Sequence, residues 1–173
     1  MTLFHTIFDQ FYPLIRFLYE RVQGNQWYDH IVDDIWLGGA LSYKRDYQFL
    51  LDNDIGAVID IRQEREDDLN FYERHNVNHL KIKVADLYPP TPEQITTAFN
   101  FINDNRANGR KVYIHCAKGR GRSATLIAGY LMAKHQMSFT EAHDFMVSRR
   151  KLVNLEKRHG DVLNQWIKTI SPT

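Results

Sequence analysis

The residues best suited to chemistry lie in one short stretch around Cys116, the only cysteine in the chain. Apolar residues before it, Val112 to Ile114, predict a strand, and the apolar run from Ala124 to Ala133 predicts a helix. The loop between them contains glycines and cations, namely Lys118, Gly119, Arg120, Gly121 and Arg122. A nucleophilic side chain therefore lies where a strand becomes a glycine-rich, cationic loop.

This loop favours a bound phosphate. Its glycines let backbone N–H groups converge, and the following helix points its N–H groups and positive dipole end at the same place. The same field lowers the pKa of a thiol, and a Cys116 thiolate beneath a phosphate would attack phosphorus. Arg122 can present two parallel N–H groups to phosphate oxygens. Ser123 can donate to the sulfur when it leaves as a thiolate.

Length and composition indicate one ordinary globular domain. The chain has 173 residues, of which 43% are hydrophobic and 25% charged, and its net charge of +1 gives no general attraction to nucleic acid. A single cysteine excludes a disulfide framework and a cysteine-based zinc site, and a reactive thiol suggests a reducing, intracellular compartment. The histidines other than His115 show no metal-ligand spacing in the sequence. We therefore expect no metal and no cofactor. We find neither a secretory signal nor a membrane-spanning run.

Residues 2–22 predict an amphipathic helix with an aromatic stripe, kinked or split at Pro13. We favour the interpretation that this helix packs on the domain, as most amphipathic helices do. The alternative is a segment that lies on a membrane surface. We place the boundary of this N-terminal segment at residues 1–26 and that of the main domain at 27–173.

Along the rest of the chain, strands alternate with helices. Strands are predicted around Ile31, at Ile35 to Leu37, Gly56 to Ile61, His79 to Val84, and Val112 to Ile114. Helices are predicted from a Ser42 cap to about Asp52, from a Thr91 cap to about Arg106, from Arg122 to about His135, from a Ser138 cap to about Arg150, and from Lys157 to Ile170. This order predicts an α/β fold with a mostly parallel central sheet flanked by helices, and Cys116 at the carboxyl end of a strand.

Transfer of a phosphoryl group to a thiolate needs an acid for the departing oxygen. Asp86 is the candidate, because it lies in a loop after a strand, stiffened by the prolines behind it. Asp60, Glu64 and Glu66 are rivals, and Asp60 is disfavoured by its place inside a strand. The charged run that contains the two glutamates is either a solvated loop with a helix start or a rim of the site. We expect His115 to orient the loop as a neutral, buried tautomer.

The pattern His115-Cys116, five residues, Arg122-Ser123 resembles the signature loop of the cysteine-dependent phosphatases, which comprise protein tyrosine, dual-specificity and phosphoinositide phosphatases. The resemblance implies a dual-specificity phosphatase fold. It implies that Cys116 is the nucleophile, that Asp86, thirty residues earlier, is the acid and then the base, and that Ser123 assists release of the thiolate. It also implies that the loop binds phosphate through Ala117, Lys118, Gly119, Arg120, Gly121 and Arg122.

Other segments are similar to one branch of these enzymes, the mitochondrial-type phosphatidylglycerophosphate phosphatases. The similar segments are Phe11-Tyr12-Pro13-Leu14, Trp27-Tyr28, Ile35 to Leu41, Val58-Ile59, Val84-Ala85-Asp86 and Asp161-Val162-Leu163. The chain departs from that branch at Gln63 to Glu66, where one acid is lost, at Ala117-Lys118, whose order is reversed, and at Leu152 to Gly160, which lacks an Arg-Pro pair.

The resemblance implies a phosphatase that hydrolyses a phosphomonoester through a cysteinyl-phosphate, with phosphatidylglycerophosphate or a phosphoinositide as substrate. One alternative is a protein tyrosine or dual-specificity phosphatase acting on phosphopeptides. Another is an inactive phosphate-binding module, which the presence of Cys116, Arg122 and Asp86 disfavours. A sulfurtransferase or arsenate reductase is poorly supported, since no resolving cysteine is present. We expect a phospholipid or phosphoprotein substrate, peripheral membrane contact through residues 2–22, no nucleic acid and a monomer.

Overall fold

A computed structural model of the chain describes residue 14 and residues 16–170. Most of the predicted N-terminal helix, including Pro13, lies outside these residues. Its described end forms a short π-helical turn, Leu18–Val22. Among the described residues, no helix is both long enough and apolar enough to cross a bilayer.

In the described part of the chain, the centre of the molecule is a five-stranded sheet. Its strands are β1 (Tyr28–Val32), β2 (Ile35–Gly38), β3 (Ile55–Arg62), β4 (Asn78–Val84) and β5 (Lys111–His115). Their order across the sheet is β1-β2-β5-β3-β4. β1 pairs antiparallel with β2, whereas β2 with β5, β5 with β3, and β3 with β4 are parallel. The sheet is therefore mostly parallel, as predicted, and β5 lies at its middle.

Helices cover both faces of the sheet. They are α1 (Lys44–Asp52), α2 (Leu69–Arg74), α3 (Pro92–Ala107), α4 (Arg122–Lys134), α5 (Phe139–Arg149) and α6 (Lys157–Ile170). The alternation of side chains along β5 assigns its faces: Val112 and Ile114 join the core formed with α3 to α6, while Tyr113 joins the core formed with α1 and α2. Residues from Arg122 to Met132 are buried throughout, so α4 is the central helix.

The first residues of the helices show which capping interactions define each helix N-terminus. Thr91 and Ser138 each accept the backbone N–H three residues on and complete capping boxes, as predicted. The first helix differs from the prediction, because its N-cap is Tyr43 rather than Ser42. The Asp46 carboxylate in its first turn accepts the backbone N–H groups of both residues, at 2.7 and 2.9 Å. The short helix α2 was predicted only as a helix start.

The end of the N-terminal segment is joined to the domain through Arg16. Its guanidinium is buried and makes two bonds of 2.7 Å to the Asp46 carboxylate. On the other side of this segment, apolar residues four apart in sequence point outward: Leu18 is 43% and Val22 66% exposed. The segment thus packs on the domain by one face and presents an apolar face outward.

Candidate active site

The site is built where β5 ends and α4 begins. Cys116 follows the last residue of β5 and is only 4% exposed, and α4 starts six residues later with Gly121 as its N-cap. The Ser123 hydroxyl donates to the Cys116 sulfur at 3.3 Å. Burial raises the pKa of the thiol, but the Arg122 charge and hydrogen bonds from Ser123 and the loop backbone lower it to about 7. A large fraction of the thiol is therefore ionised at neutral pH.

The loop predicted to bind phosphate packs closely against the end of β2. Gly119 has a φ of +64°, and a Cβ there would lie 2.4 Å from the carbonyl oxygen of Gly38. Glycine is required at this position by both its conformation and this close approach. The loop is held in place by Arg150, whose buried guanidinium donates to the carbonyls of Gly119 (3.1 Å) and Lys118 (2.8 Å). It also contacts the Asp29 carboxylate at 2.5 Å.

Arg122 is fixed from outside the loop. Its two terminal nitrogens donate to the Glu64 carboxylate at 2.8 and 2.7 Å, and one of them also donates to the Val84 carbonyl at 2.9 Å. Burial raises the pKa of Glu64, but its bonds with Arg122 hold that pKa below the usual range. The charged run that contains Glu64 thus forms a rim of the site, and this glutamate orients the loop arginine rather than acting as a free acid.

Asp86 is brought to the same place. It lies just after β4, its side chain is 51% exposed, and one carboxylate oxygen is 3.0 Å from an Arg122 terminal nitrogen. The next residue, Leu87, has a φ of +71° and an exposed side chain. The structure therefore places Asp86 at the mouth of the site, in ionic contact with the arginine of the loop.

His115 lies beneath the loop and is completely buried. Its Nε2 is 2.8 Å from the Asp67 carboxylate, and its Nδ1 is 3.3 Å from the Cys116 carbonyl. Both ring nitrogens thus face hydrogen-bond acceptors. Burial lowers the pKa of His115, but Asp67 and Asp60 raise it above the usual value. Two carboxylates from distant segments thus favour the imidazolium over the neutral tautomer expected from the sequence.

These carboxylates belong to a buried network with further partners. Arg62 donates to Asp60 at 2.8 Å and to Asp67 at 2.6 Å, and Lys81 donates to Asp60 at 2.8 Å. Although Asp60, Asp67 and His115 lie close enough to share an ion, their ligand atoms already have cationic or hydrogen-bonding partners. We interpret the cluster as a charged support for the end of β5. Sequence reasoning assigned Asp60 only as a rival acid and did not identify Asp67.

A cavity of about 430 Å³ opens above the sulfur. The lining includes Cys116, Ala117 and Gly121 of the loop, the acids Glu64, Asp86 and Glu156, and His159 from the start of α6. Among the residues that the structure describes, six cationic side chains also line it, which are Arg62, Arg65, Lys118, Arg120, Arg122 and Arg158. Cations therefore outnumber acids around the wall, as expected for a site that receives an anion. Arg150, Asp67 and His159 were missed by sequence reasoning, since each is tied to the site by the fold.

The sheet, the loop and the buried thiol together define an α/β fold of the protein tyrosine phosphatase type. Residues 35–169 match the dual specificity phosphatase catalytic domain, and the chain belongs to this family of phosphatases. It is 32% identical over 165 residues to the phosphatidylglycerophosphate phosphatase PTPMT2 of Arabidopsis thaliana, covering 93% of this chain and 71% of that protein.

Two further relatives agree in fold and sequence. The phosphatidylglycerophosphatase and protein-tyrosine phosphatase 1 of Mus musculus is 30% identical over 173 residues, with 93% of this chain and 89% of that protein covered. A crystal structure of PTPMT1 in complex with PI(5)P superposes with a TM-score of 0.76 at 27% identity, over 84% of this chain and 97% of that chain. The predicted family and fold are confirmed, as is a hydrolase of phosphoric monoesters.

Proposed function

We propose that this phosphatase acts on a phospholipid phosphomonoester, either phosphatidylglycerophosphate or a phosphoinositide. The observation that carries the proposal is a thiol with a pKa of about 7 at the base of a cavity rimmed by cations. The relatives named as phosphatidylglycerophosphate phosphatases and the PI(5)P complex support a lipid substrate. We further propose that residues 27–173 form the catalytic domain and that residues 1–26 form a separate segment.

In the first step, the Cys116 thiolate attacks phosphorus. A sulfur–phosphorus bond forms, the ester oxygen–phosphorus bond breaks, and the departing oxygen takes a proton from Asp86. The backbone N–H groups from Ala117 to Arg122 and the Arg122 guanidinium hold the equatorial oxygens. Because the Arg122 terminal nitrogens already contact Glu64 and Asp86, an arriving phosphate competes for the nitrogen that Asp86 contacts. Its binding frees the Asp86 carboxyl group to face the leaving oxygen.

In the second step, water hydrolyses the cysteinyl-phosphate. Asp86, now a carboxylate, takes the proton of the attacking water. The sulfur–phosphorus bond breaks, and the sulfur leaves with its electron pair as a thiolate. The Ser123 hydroxyl, which donates to this sulfur at 3.3 Å, stabilises the thiolate as it forms. Inorganic phosphate then leaves through the cavity mouth.

The exposed side chains of the N-terminal segment support a role for the enzyme at a membrane surface. Leu14, Phe17, Leu18 and Val22 are all exposed, while Arg16 and Tyr19 are buried against the domain. An outward apolar face beside a buried anchor suits peripheral contact with a bilayer. We propose that the enzyme binds the surface of an intracellular membrane and takes its substrate from it.

Substrate preference tests this function. The rate of phosphate release is measured with vesicles that contain phosphatidylglycerophosphate or phosphoinositides and with phosphotyrosine peptides, with Cys116→Ser as the inactive control. The proposal predicts a kcat/KM for the best lipid that is about tenfold or more above that for any peptide. A preference for peptides, or no release from lipids, overturns the lipid assignment. Turnover by Cys116→Ser overturns the assignment of the nucleophile.

A further inference from the structure

His159 is a buried polar group that the reaction described above does not use. The residue is 4% exposed, and its Nδ1 accepts the backbone N–H of Glu156 at 2.9 Å. Burial and the neighbouring Arg158 lower the pKa of His159, which favours the neutral ring. With Nδ1 acting as an acceptor, the single proton of a neutral ring lies on Nε2. The side chain is thus held as a hydrogen-bond donor with a defined direction.

That donor lines the cavity beside the phosphate loop. A Cβ on Gly121 would lie 3.6 Å from the His159 Nε2, and His159 belongs to the cavity wall. Among residues 16–170, Nε2 has no hydrogen-bond partner. An N–H on a cavity wall that has no protein partner is available to an acceptor that enters the cavity, either water or a ligand oxygen. A ligand oxygen beside the phosphate loop would therefore find a donor already in place.

The surroundings of Nε2 favour an anion. His159 lies in the first turn of α6, a helix of 14 residues whose N-terminal end carries partial positive charge. Arg158 lines the same wall, and its ion pair with Glu156, at 3.0 Å, leaves both side chains about half exposed. Arg120 of the phosphate loop also lines the cavity. A donor, a helix start and two guanidinium groups thus line the same cavity.

We infer that His159 and Arg158, at the start of α6, form a second anion subsite that binds a non-scissile phosphate of the substrate. The inference rests on the proposed function, because it assumes that the scissile phosphate lies over Cys116. The phosphodiester that links a lipid head group to its diacylglycerol has the chemistry this subsite recognises. A substrate with only the scissile phosphate leaves the subsite without a ligand.

Two lipids and two substitutions test the inference. Phosphatidylglycerophosphate contains a phosphodiester and a phosphomonoester, whereas phosphatidic acid contains the phosphomonoester alone. His159→Asn keeps an acceptor for the Glu156 N–H but deletes the donor at the Nε2 position. His159→Gln places an amide N–H near the Nε2 position. Kinetics are measured with both lipids in the same vesicles and with p-nitrophenyl phosphate in solution, and thermal unfolding confirms that each variant is folded.

We expect the His159→Asn substitution to raise KM for phosphatidylglycerophosphate about tenfold, since a hydrogen bond to a charged group is lost. The KM values for phosphatidic acid and p-nitrophenyl phosphate should stay within about twofold of the wild-type values. His159→Gln should have a KM for phosphatidylglycerophosphate between those of His159→Asn and the wild type. An equal loss on all three substrates, or no loss on any, overturns the inference. If His159→Asn does not fold, Arg158→Gln at a half-exposed side chain makes the same comparison.

The two proposals fail in different ways. If the wild-type enzyme hydrolyses p-nitrophenyl phosphate but no lipid, the lipid function fails, and the subsite fails with it. If the wild-type enzyme hydrolyses both lipids with equal kcat/KM, the lipid function stands and only the subsite is refuted.

Discussion

Removal of the Ser123 hydroxyl should raise the pKa of the Cys116 thiol. The hydroxyl donates to the sulfur at 3.3 Å, and both side chains are buried. A hydrogen bond to a charged group contributes about 1.5–3 kcal/mol, and a sulfur acceptor at this distance belongs near the lower limit. Since 1.36 kcal/mol corresponds to about one pKa unit, Ser123→Ala should raise the thiol pKa from about 7 by about one unit.

The chain offers a direct assay, because Cys116 is its only cysteine. The rate of alkylation by iodoacetamide then reports the thiolate fraction at one site and should rise with pH through about 7 in the wild type. At pH 7 the thiolate fraction should fall from about one half to about one tenth, so Ser123→Ala should react about fivefold more slowly. Ser123→Thr keeps a hydroxyl and should keep the wild-type profile.

Two outcomes would refute this reasoning. The first is a profile for Ser123→Ala with the same midpoint as the wild type, which would mean that the hydroxyl does not stabilise the thiolate. The second is an equal rise of the midpoint in Ser123→Thr, which would assign the effect to packing rather than to the donated hydrogen bond.

Three further predictions concern the support of the site and its surroundings. Glu64→Gln should lower kcat/KM by about tenfold to a hundredfold, because weakened charge-assisted bonds leave Arg122 misaligned. The midpoint pH of the Cys116 alkylation profile should not rise by more than about half a unit in this variant. Arg150→Met should lower the free energy of unfolding in urea by about 3 kcal/mol, since it leaves the Asp29 carboxylate without its cation, and unchanged stability would contradict that role. Leu18→Glu with Val22→Glu should weaken vesicle binding and lipid turnover while sparing p-nitrophenyl phosphate, and equal loss on both substrates would indicate a packing role instead.

Local sequence patterns were sufficient to predict the centre of the molecule. The apolar run of β5, the glycines of the loop and the apolar run of α4 are contiguous, so their order alone predicts a strand, an anion-binding turn and a helix. The caps at Thr91 and Ser138 act over three residues and were also predictable. Ser42 was misassigned as a cap, since the helix starts one residue later with Tyr43 as its N-cap. The Asp46 side chain in the first turn accepts the backbone N–H groups of both residues.

The features that escaped prediction depend on contacts between distant parts of the chain. The raised pKa of His115 follows from Asp67, 48 residues earlier. Arg150 supports the loop through hydrogen bonds to residues 31 and 32 positions before it. The pairing of Glu64 with Arg122 spans 58 positions. Each residue taken alone resembles a solvated charge in the sequence, and only the packed sheet brings it beneath or beside the thiol.

The most direct test of the account is to look for the covalent intermediate formed from a lipid. Phosphatidylglycerophosphate labelled in its terminal phosphate is mixed with the enzyme in vesicles, the reaction is quenched within milliseconds, and the labelled residue is identified by mass spectrometry. The proposed mechanism predicts label on Cys116 that is absent in Cys116→Ser. In Asp86→Asn the label should both form and decay more slowly, because Asp86 is the acid of the first step and the base of the second. Lipid turnover without label on Cys116, or label on another residue, would contradict it.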